Sequence, residues 1–251
     1  MDIIAAVLTT VILGFLYWRM IKRETPERVG VFQALLPLGP GIASMFLGAS
    51  LTVLVAKAAG GMSNLVAGDT SFGFSLLRSF LMAGLTEETA KLLMILLALV
   101  ILKSRVKNVY EYVLIGAAVG FGFAIAEEFF YADFSAASDA SDYLGFVIRM
   151  ISVPAHMTLN MIMGEFLGRA KYSRLTGKGS PALNIVLAIF IPMCVHSLYD
   201  ACTVFNSKLL TGAISGTLLA LAGYVGLMVY EIAVLIRFRK KTEEFCGMHT
   251  V

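Results

Sequence analysis

Charged residues are scarce in this chain. Only 15% of its 251 residues are Asp, Glu, Lys or Arg, while 58% are apolar and the mean hydropathy is +0.82. Soluble domains usually contain about 25% charged residues, so this composition excludes an ordinary soluble domain and indicates that a lipid bilayer surrounds much of the chain. The net charge of +3 gives no reason to expect a nucleic-acid partner.

Cysteine is also rare, with Cys194, Cys202 and Cys246 as the three examples. The first two are predicted to share a helix and the third lies in a basic tail, so no disulfide framework is predicted. The first apolar stretch has no basic segment before it, and no small-residue cleavage site precedes Arg19. These two absences favour a first membrane span over a cleaved signal peptide.

Long apolar runs predict an all-α fold, a polytopic membrane helical bundle of about seven transmembrane helices. A spanning helix needs about 20 apolar residues. Such runs lie near residues 2–21, 31–59, 74–102, 109–132, 143–168, 182–205 and 209–236. We predict a single transmembrane domain over 1–251, with a motif-bearing core at about 74–205 and a basic cytoplasmic tail at 237–251. A multi-pass protein of the cell membrane is expected.

Two spans contain possible interruptions. Pro37 and the following Gly39, Pro40 and Gly41 should bend the second span, because proline removes a helical hydrogen bond. In the third span, residues 74–84 either continue into the helix 85–102 or form a separate re-entrant segment. Both readings remain open at this point.

The basic residues predict an orientation. Most Lys and Arg residues follow the first, third and fifth spans or lie in the C-terminal tail, while residues 60–71 and 133–142 contain none. Lys and Arg accumulate on the cytoplasmic side of membrane proteins. The N-terminus is therefore predicted outside and the C-terminus in the cytoplasm.

A few ionisable residues lie within the predicted spans, where a charge is costly unless it is paired or faces water. They are Glu87, Glu88, Lys91, Glu127, Glu128, Arg149, His156, His196 and Asp200. Most of the acids and both histidines are predicted between the membrane centre and about 8 Å from its outer boundary. Glu165 lies nearer a span end, where we expect it to reach the interface.

Polar residues recur four positions apart, which places them on one helix face. The pairs are Glu87 with Lys91, His156 with Asn160, and His196 with Asp200. In the first pair the acid precedes the base, the order that favours a helical ion pair. In the last pair, the acid can fix the tautomer of the imidazole.

Packing alone would explain some of these residues. A Glu–Lys pair can hold a bundle together, and Glu128 is rotated about 100° from Glu127, so only one of the two is expected to face the others. Two imidazoles and several acids at one depth are costly for packing alone, which favours a functional site. A hydrolase, a non-catalytic scaffold or partner-binding protein, and a proton or ion translocator all remain open.

Four short motifs occur in order across the spans. They are EExxK at Glu87–Lys91, FxxxE at Phe123–Glu127, a lone histidine at His156 between Arg149 and Gly164, and HxxxD at His196–Asp200. Together they resemble the PrsW family of intramembrane proteases, which is related to the CAAX prenyl endopeptidases and to bacteriocin-processing membrane proteins. The chain departs from the family at Glu128, where asparagine is common.

This resemblance implies hydrolysis of a peptide bond in a single-span membrane protein, such as an anti-sigma factor, near the extracytoplasmic side. It implies six catalytic residues, Glu87, Glu88, Glu127, His156, His196 and Asp200, with Lys91, Glu128, Arg149 and Asn160 in support. We expect Glu87 to be the general base, Glu88 to orient it or share its proton, and His196 to stabilise the oxyanion or protonate the leaving amine.

The same residue types suit a catalytic zinc ion. Glu127, His156 and His196 are the candidate ligands, because two imidazoles and a carboxylate can hold zinc with one position open. The sequence has no HExxH motif, so a metal mechanism and a glutamate mechanism both remain open. It also has no GxSxG motif, which disfavours serine chemistry. Nothing in the sequence predicts the oligomeric state.

Overall fold

The structure is a computed structural model that describes residues 2–22, 29–60, 72–103, 105–135 and 143–203, together with Val229. Within these ranges, only the backbone is described at residues 2–3, 5–6, 131–135, 143–153 and 202–203. Every ordered element in the described ranges is helical. The predicted all-α fold is confirmed.

The described residues form eight α-helices and one π-helical segment. They are α1 (Asp2–Ile21), α2 (Val31–Leu35), α3 (Leu38–Ala58), α4 (Phe72–Ser79), the π segment (Phe80–Gly84), α5 (Leu85–Leu102), α6 (Val109–Ser135), α7 (Tyr143–Thr176) and α8 (Pro181–Thr203). Six predicted spans correspond to these helices. The seventh predicted span at 209–236 and the tail at 237–251 lie outside the described residues.

The second predicted span is interrupted at Pro37, whereas Gly39, Pro40 and Gly41 lie within the first turn of α3. Helix α2 ends at Leu35 and α3 begins at Leu38, with a turn that includes Pro37. The third span, in contrast, runs without a break from α4 through the π segment into α5. Residues 74–84 therefore belong to one continuous helical path rather than to a separate segment.

Three helical stretches are long and apolar enough to cross a membrane, judged by length and composition. They are Val31–Ala58, Val109–Phe130 and Pro181–Ala201. Large apolar side chains such as Phe46, Val100 and Phe190 are exposed on the outside of the helices, as expected where lipid is the solvent. The fold is an all-α membrane bundle, and the count of seven spans and the orientation stay predictions.

Helix α6 is central, with packing contacts to α1, α3, α5 and α7. All of its residues from 113 to 124 are buried. One apolar cluster joins α6 to α1 and α7 through Tyr17, Phe121 and Met157. A second cluster joins it to α5, α7 and α8 and includes Ile95 and Val119.

Glycines bring α6 and α7 close together. A Cβ atom at Gly116 would overlap the carbonyl oxygen of Asn160, and one at Gly120 would overlap that of His156. On the other helix, a Cβ at Gly164 would overlap the carbonyl oxygen of Tyr112. Small residues allow such close backbone approach in membrane bundles, and here they place His156 directly beside α6.

The expectation that Glu165 reaches the interface is wrong. Its side chain is fully buried, and its Oε1 atom accepts a hydrogen bond from Nε of Arg169 across 2.6 Å. Arg169 lies one turn further along α7, so the two side chains meet on the same face. A charged partner on the next turn allows this carboxylate to stay inside the bundle.

Candidate active site

Four helices bring the predicted site residues together. Helix α5 carries Glu87, Glu88 and Lys91, α6 carries Glu127, α7 carries His156, and α8 carries His196 and Asp200. Each of these side chains contacts at least one other member of the group. The structure therefore places the seven residues in one cluster, while their catalytic roles stay predictions.

Both histidines follow a proline inside their own helix. Pro154 lies two residues before His156 in α7, and Pro192 lies four residues before His196 in α8. An interior proline removes a helical hydrogen bond and favours a bend. The two prolines therefore favour a bend in each helix close to its imidazole.

Lys91 is the centre of the cluster and is fully buried. Its Nζ atom lies 2.8 Å from Glu88 Oε1, 3.4 Å from Glu87 Oε2 and 3.0 Å from His156 Nδ1. The same atom lies 3.7 Å from the centre of the Phe123 ring. Two carboxylates and an aromatic face thus compensate the burial of one ammonium group.

The contact with Lys91 assigns the tautomer of His156. An ammonium group only donates hydrogen bonds, so Nδ1 of His156 accepts and its proton is on Nε2. That Nε2 atom lies 2.8 Å from Glu127 Oε2. In this arrangement, Glu127 accepts a hydrogen bond from His156.

The contacts of His196 define a different pattern. Its Nδ1 atom lies 2.7 Å from Glu88 Oε1, which as a carboxylate oxygen accepts the hydrogen bond. Its Nε2 atom lies 3.6 Å from Asp200 Oδ2 and 3.8 Å from Glu87 Oε2. Glu88 therefore makes the shortest contact with this imidazole, and in a neutral ring the Nε2 lone pair lies near two carboxylates.

Access to the cluster is uneven. The side chains of Glu87 and Glu127 are 20% and 18% exposed, whereas Glu88 and Lys91 have no exposed surface. The His156 and His196 ring centres lie 5.2 Å apart in an edge arrangement. Two partly exposed carboxylates thus flank a pair of adjacent imidazoles. This arrangement suits proton transfer between these groups and a bound substrate or water.

The donor set is also that of a catalytic zinc site. One carboxylate oxygen of Glu87 and one nitrogen from each of His156 and His196 lie within 4.8 Å of one another. Two imidazoles with one carboxylate are common zinc ligands, and lone pairs that converge near His196 Nε2 favour a cation between them. The residue types fit such an ion once His156 Nε2 has lost its proton, and Glu87 takes the position for which Glu127 was predicted.

The supporting residues fall into three situations. Asn160 is fully buried one turn after His156, and its Nδ2 atom donates to the His156 carbonyl oxygen across 2.8 Å. Glu128 is buried next to Glu127 and so does not face solvent. Arg149 lies on α7, but its side chain is outside the described residues.

Gly84 and Ser197 also shape the site, although neither was predicted from the sequence. A Cβ atom at Gly84 would overlap Oγ of Ser197 on α8, so these residues bring the start of α5 against the helix that carries His196. Both are small residues close to a motif acid or histidine. Such residues permit close helix contact, and their positions were the signal that would have identified them.

Three curated proteins are similar to about half of this chain. The curated protein "Protease PrsW" of Halalkalibacterium halodurans is 31% identical over 137 residues, which cover 55% of this chain and 59% of that protein. "Protease PrsW" of Clostridioides difficile is 28% identical over 122 residues, 49% of this chain and 50% of the relative. "Protease PrsW" of Bacillus subtilis is 28% identical over 128 residues, 51% and 55% respectively. The chain spans about half the length of these curated relatives.

No solved structure is significantly similar to this chain. The model of the PrsW family intramembrane metalloproteases, however, matches residues 36–235, which include every helix that contributes to the cluster. Because this match extends over well more than half of the sequence, the chain belongs to the PrsW family.

Proposed function

We propose that this protein is an intramembrane endopeptidase that hydrolyses a peptide bond of a membrane-spanning protein. The observation that carries this proposal is the meeting of two partly exposed carboxylates, Glu87 and Glu127, with the adjacent imidazoles of His156 and His196. Peptide hydrolysis needs a base for the attacking water and an acid for the leaving amine. The cluster contains both kinds of group.

Glu87 is the proposed general base. Its side chain is 20% exposed, compared with 18% for Glu127 and 13% for Asp200. It takes a proton from the attacking water. Glu87 passes this proton to Nε2 of His196, which lies 3.8 Å from Glu87 Oε2, and that nitrogen delivers it to the leaving amine. Glu127 and His156 position the water, since Glu127 is the second partly exposed carboxylate and is paired with His156.

Glu88 and Lys91 have no exposed surface and act by holding the others. Glu88 fixes the orientation of His196, and Lys91 keeps both neighbouring carboxylates paired. Their charges compensate each other, so the remaining groups can sit in a nonpolar bundle. We therefore propose that these two residues position the reacting groups and do not touch the substrate.

The same residues would hold a zinc ion, with Glu87, His156 and His196 as ligands. When bound, such an ion would act as a Lewis acid that polarises the scissile carbonyl. His156 can offer Nε2 as a ligand only after the proton on that atom has left. Lys91 opposes this step, because its contact at Nδ1 keeps the proton on Nε2.

We further propose that the substrate is a single-span protein, such as an anti-sigma factor, cut near the extracytoplasmic side. The distribution of Lys and Arg supports this, since it puts the C-terminal ends of α6 and α8 on the outside. Glu127 lies eight residues before the end of α6, and His196 lies seven residues before the end of α8. The site would thus be closer to the outer face.

Cleavage of defined substrates tests the proposal. The purified full chain is reconstituted with a panel of single-span membrane proteins, with and without a zinc chelator, and the products are identified by mass spectrometry. We expect cleavage near the outer end of a span, lost in Glu87→Gln. A wild-type protein that cuts nothing, with or without added zinc, would overturn the proposal. If cells that carry Glu87→Gln grow and respond like cells with the wild-type protein, a non-catalytic scaffold would be favoured over a protease.

A further inference from the structure

The register of α4 and α5 changes within the π segment. The hydrogen bond from the Leu85 N–H to the Phe80 carbonyl spans five residues instead of the four of an α-helix. A buried stripe continues across this change through Ser75, Ser79, Gly84, Glu88 and Lys91. Its steps are four, five, four and three residues. Ala83 is buried as well, and it is the contact of Gly84 with Ser197 that places the step of five across the π segment on the α8 side.

This extra residue decides which side chains face α8. One residue corresponds to a rotation of about 100° on a helix. With the π segment in place, Gly84 packs against Ser197, and Glu88, one turn later, contacts His196. Regular α-helical bonding across the same residues would turn Glu88 away from the α8 face while the preceding stripe stayed in place.

Two threonine hydroxyls bind the π segment at one carbonyl oxygen. Thr52 Oγ1, on α3, lies 2.9 Å from the Met82 oxygen, and Thr86 Oγ1 lies 2.7 Å from the same atom. The two hydroxyls are 2.9 Å apart. The hydroxyls of Thr52 and Thr86 and the Met82 carbonyl oxygen are thus within hydrogen-bonding distance of one another, and the three groups form one small network.

We infer that Thr52 is a positioning residue of the active site, acting through the π segment on Glu88 and His196. It is outside the four motifs and on a helix that carries none of the clustered acids or histidines. Its hydroxyl stabilises the bonding pattern that keeps Glu88 on the α8 face. This inference rests on the proposed function, since its effect on the chemistry is measured as peptide cleavage.

The test compares three variants of the full chain in the reconstituted cleavage assay. Thr52→Val removes the hydroxyl and keeps the shape, while Thr52→Ser keeps the hydroxyl. Ser50→Ala is the matched control, because the Ser50 hydroxyl lies on the same helix and donates to the Phe46 carbonyl of that helix at an exposed position. Hydrogen exchange of the amides at residues 80–88 is measured in each protein, independently of cleavage.

We expect Thr52→Val to lower kcat about tenfold with KM changed less than about twofold, and to speed exchange at residues 80–88. Thr52→Ser and Ser50→Ala should behave like the wild type. Unchanged kcat in Thr52→Val, or an equal loss in Thr52→Ser, would overturn the role of the hydroxyl. If the wild type cuts nothing, the proposed function fails, whereas unchanged exchange in Thr52→Val overturns this inference by itself.

Discussion

The Nδ1 atom of His196 and the Nζ atom of Lys91 share one oxygen of Glu88, at 2.7 Å and 2.8 Å. This fully buried carboxylate therefore connects the cation of α5 to the imidazole of α8. A carboxylate behind an imidazole fixes the tautomer of the ring and raises its basicity. We therefore propose that Glu88, whose side chain has no exposed surface, acts on the chemistry through His196.

Glu88→Gln tests this link. The amide has no charge to balance Lys91 and is a weaker acceptor for His196, so both side chains lose their orientation. We expect kcat for peptide cleavage to fall by about 100-fold or more. The measurement is cleavage of a single-span substrate by purified variant protein at matched folded concentration.

Glu165→Gln is the matched control for that change. Glu165 is also a fully buried glutamate paired with a cation on its own helix, and its ion-pair partner is Arg169 instead of Lys91. Both variants should lower the unfolding temperature, because each leaves a cation with a weaker partner. Equal losses of cleavage in the two variants would show that Glu88 contributes only stability.

Lys91→Met should be damaging in two ways. It leaves Glu87 and Glu88 next to each other without their shared cation, at a cost of about 3–5 kcal/mol in the free energy of unfolding. It also removes the donor at His156 Nδ1. We expect loss of cleavage together with a lower unfolding temperature in detergent.

Lys91→Arg should fail to restore cleavage, because a planar guanidinium cannot take the place of a compact ammonium that meets two carboxylates and an imidazole from one point. The measurement is again kcat, with thermal unfolding as the check on folding. Full activity in Lys91→Arg would contradict a point-charge role for this residue.

Much of the fold was predictable because local signals determine it. Apolar runs located the helices, and Pro37 marked a real break in the second span. The spacing of Glu87 and Lys91 predicted their contact, since four residues separate neighbours on one helix face. These relationships depend on one helix at a time.

The contacts between helices were not predictable in the same way. Glu88 and His196 are separated by 108 positions, and their contact depends on a π segment that shifts the register by one residue. Glu165 is fully buried, and burial depends on how neighbouring helices pack, which hydropathy along one helix does not report. Sequence patterns predicted the position of these residues along each helix, but not which neighbouring helix their side chains face.

The glycine contact between α6 and α7 gives a prediction about stability. In Gly116→Ala, the new Cβ would overlap the Asn160 carbonyl oxygen, and because this neighbour is backbone, the helices must separate. We expect a loss of about 1–3 kcal/mol in the free energy of unfolding. Gly39→Ala is the control, since a Cβ there meets nothing within 4 Å. Equal unfolding temperatures for both variants would contradict the close approach.

Cobalt binding distinguishes the two candidate carboxylate ligands without relying on cleavage. Co²⁺ takes zinc-like sites and reports its coordination by visible absorption. The geometry favours Glu87 because its oxygen lies within 4.8 Å of nitrogens from both imidazoles. We therefore expect Glu87→Gln to weaken cobalt binding at least about tenfold.

Glu127→Gln should have the smaller effect on cobalt affinity, because in this arrangement Glu127 accepts a hydrogen bond from His156 Nε2. If Glu127→Gln instead weakens binding more than Glu87→Gln, the ligand set is the one predicted from the sequence. Lys91→Met adds a direct check on the proton at His156. Without the ammonium at Nδ1, the proton can move from Nε2, so any cobalt bound through that nitrogen should bind more tightly in this variant than in the wild type.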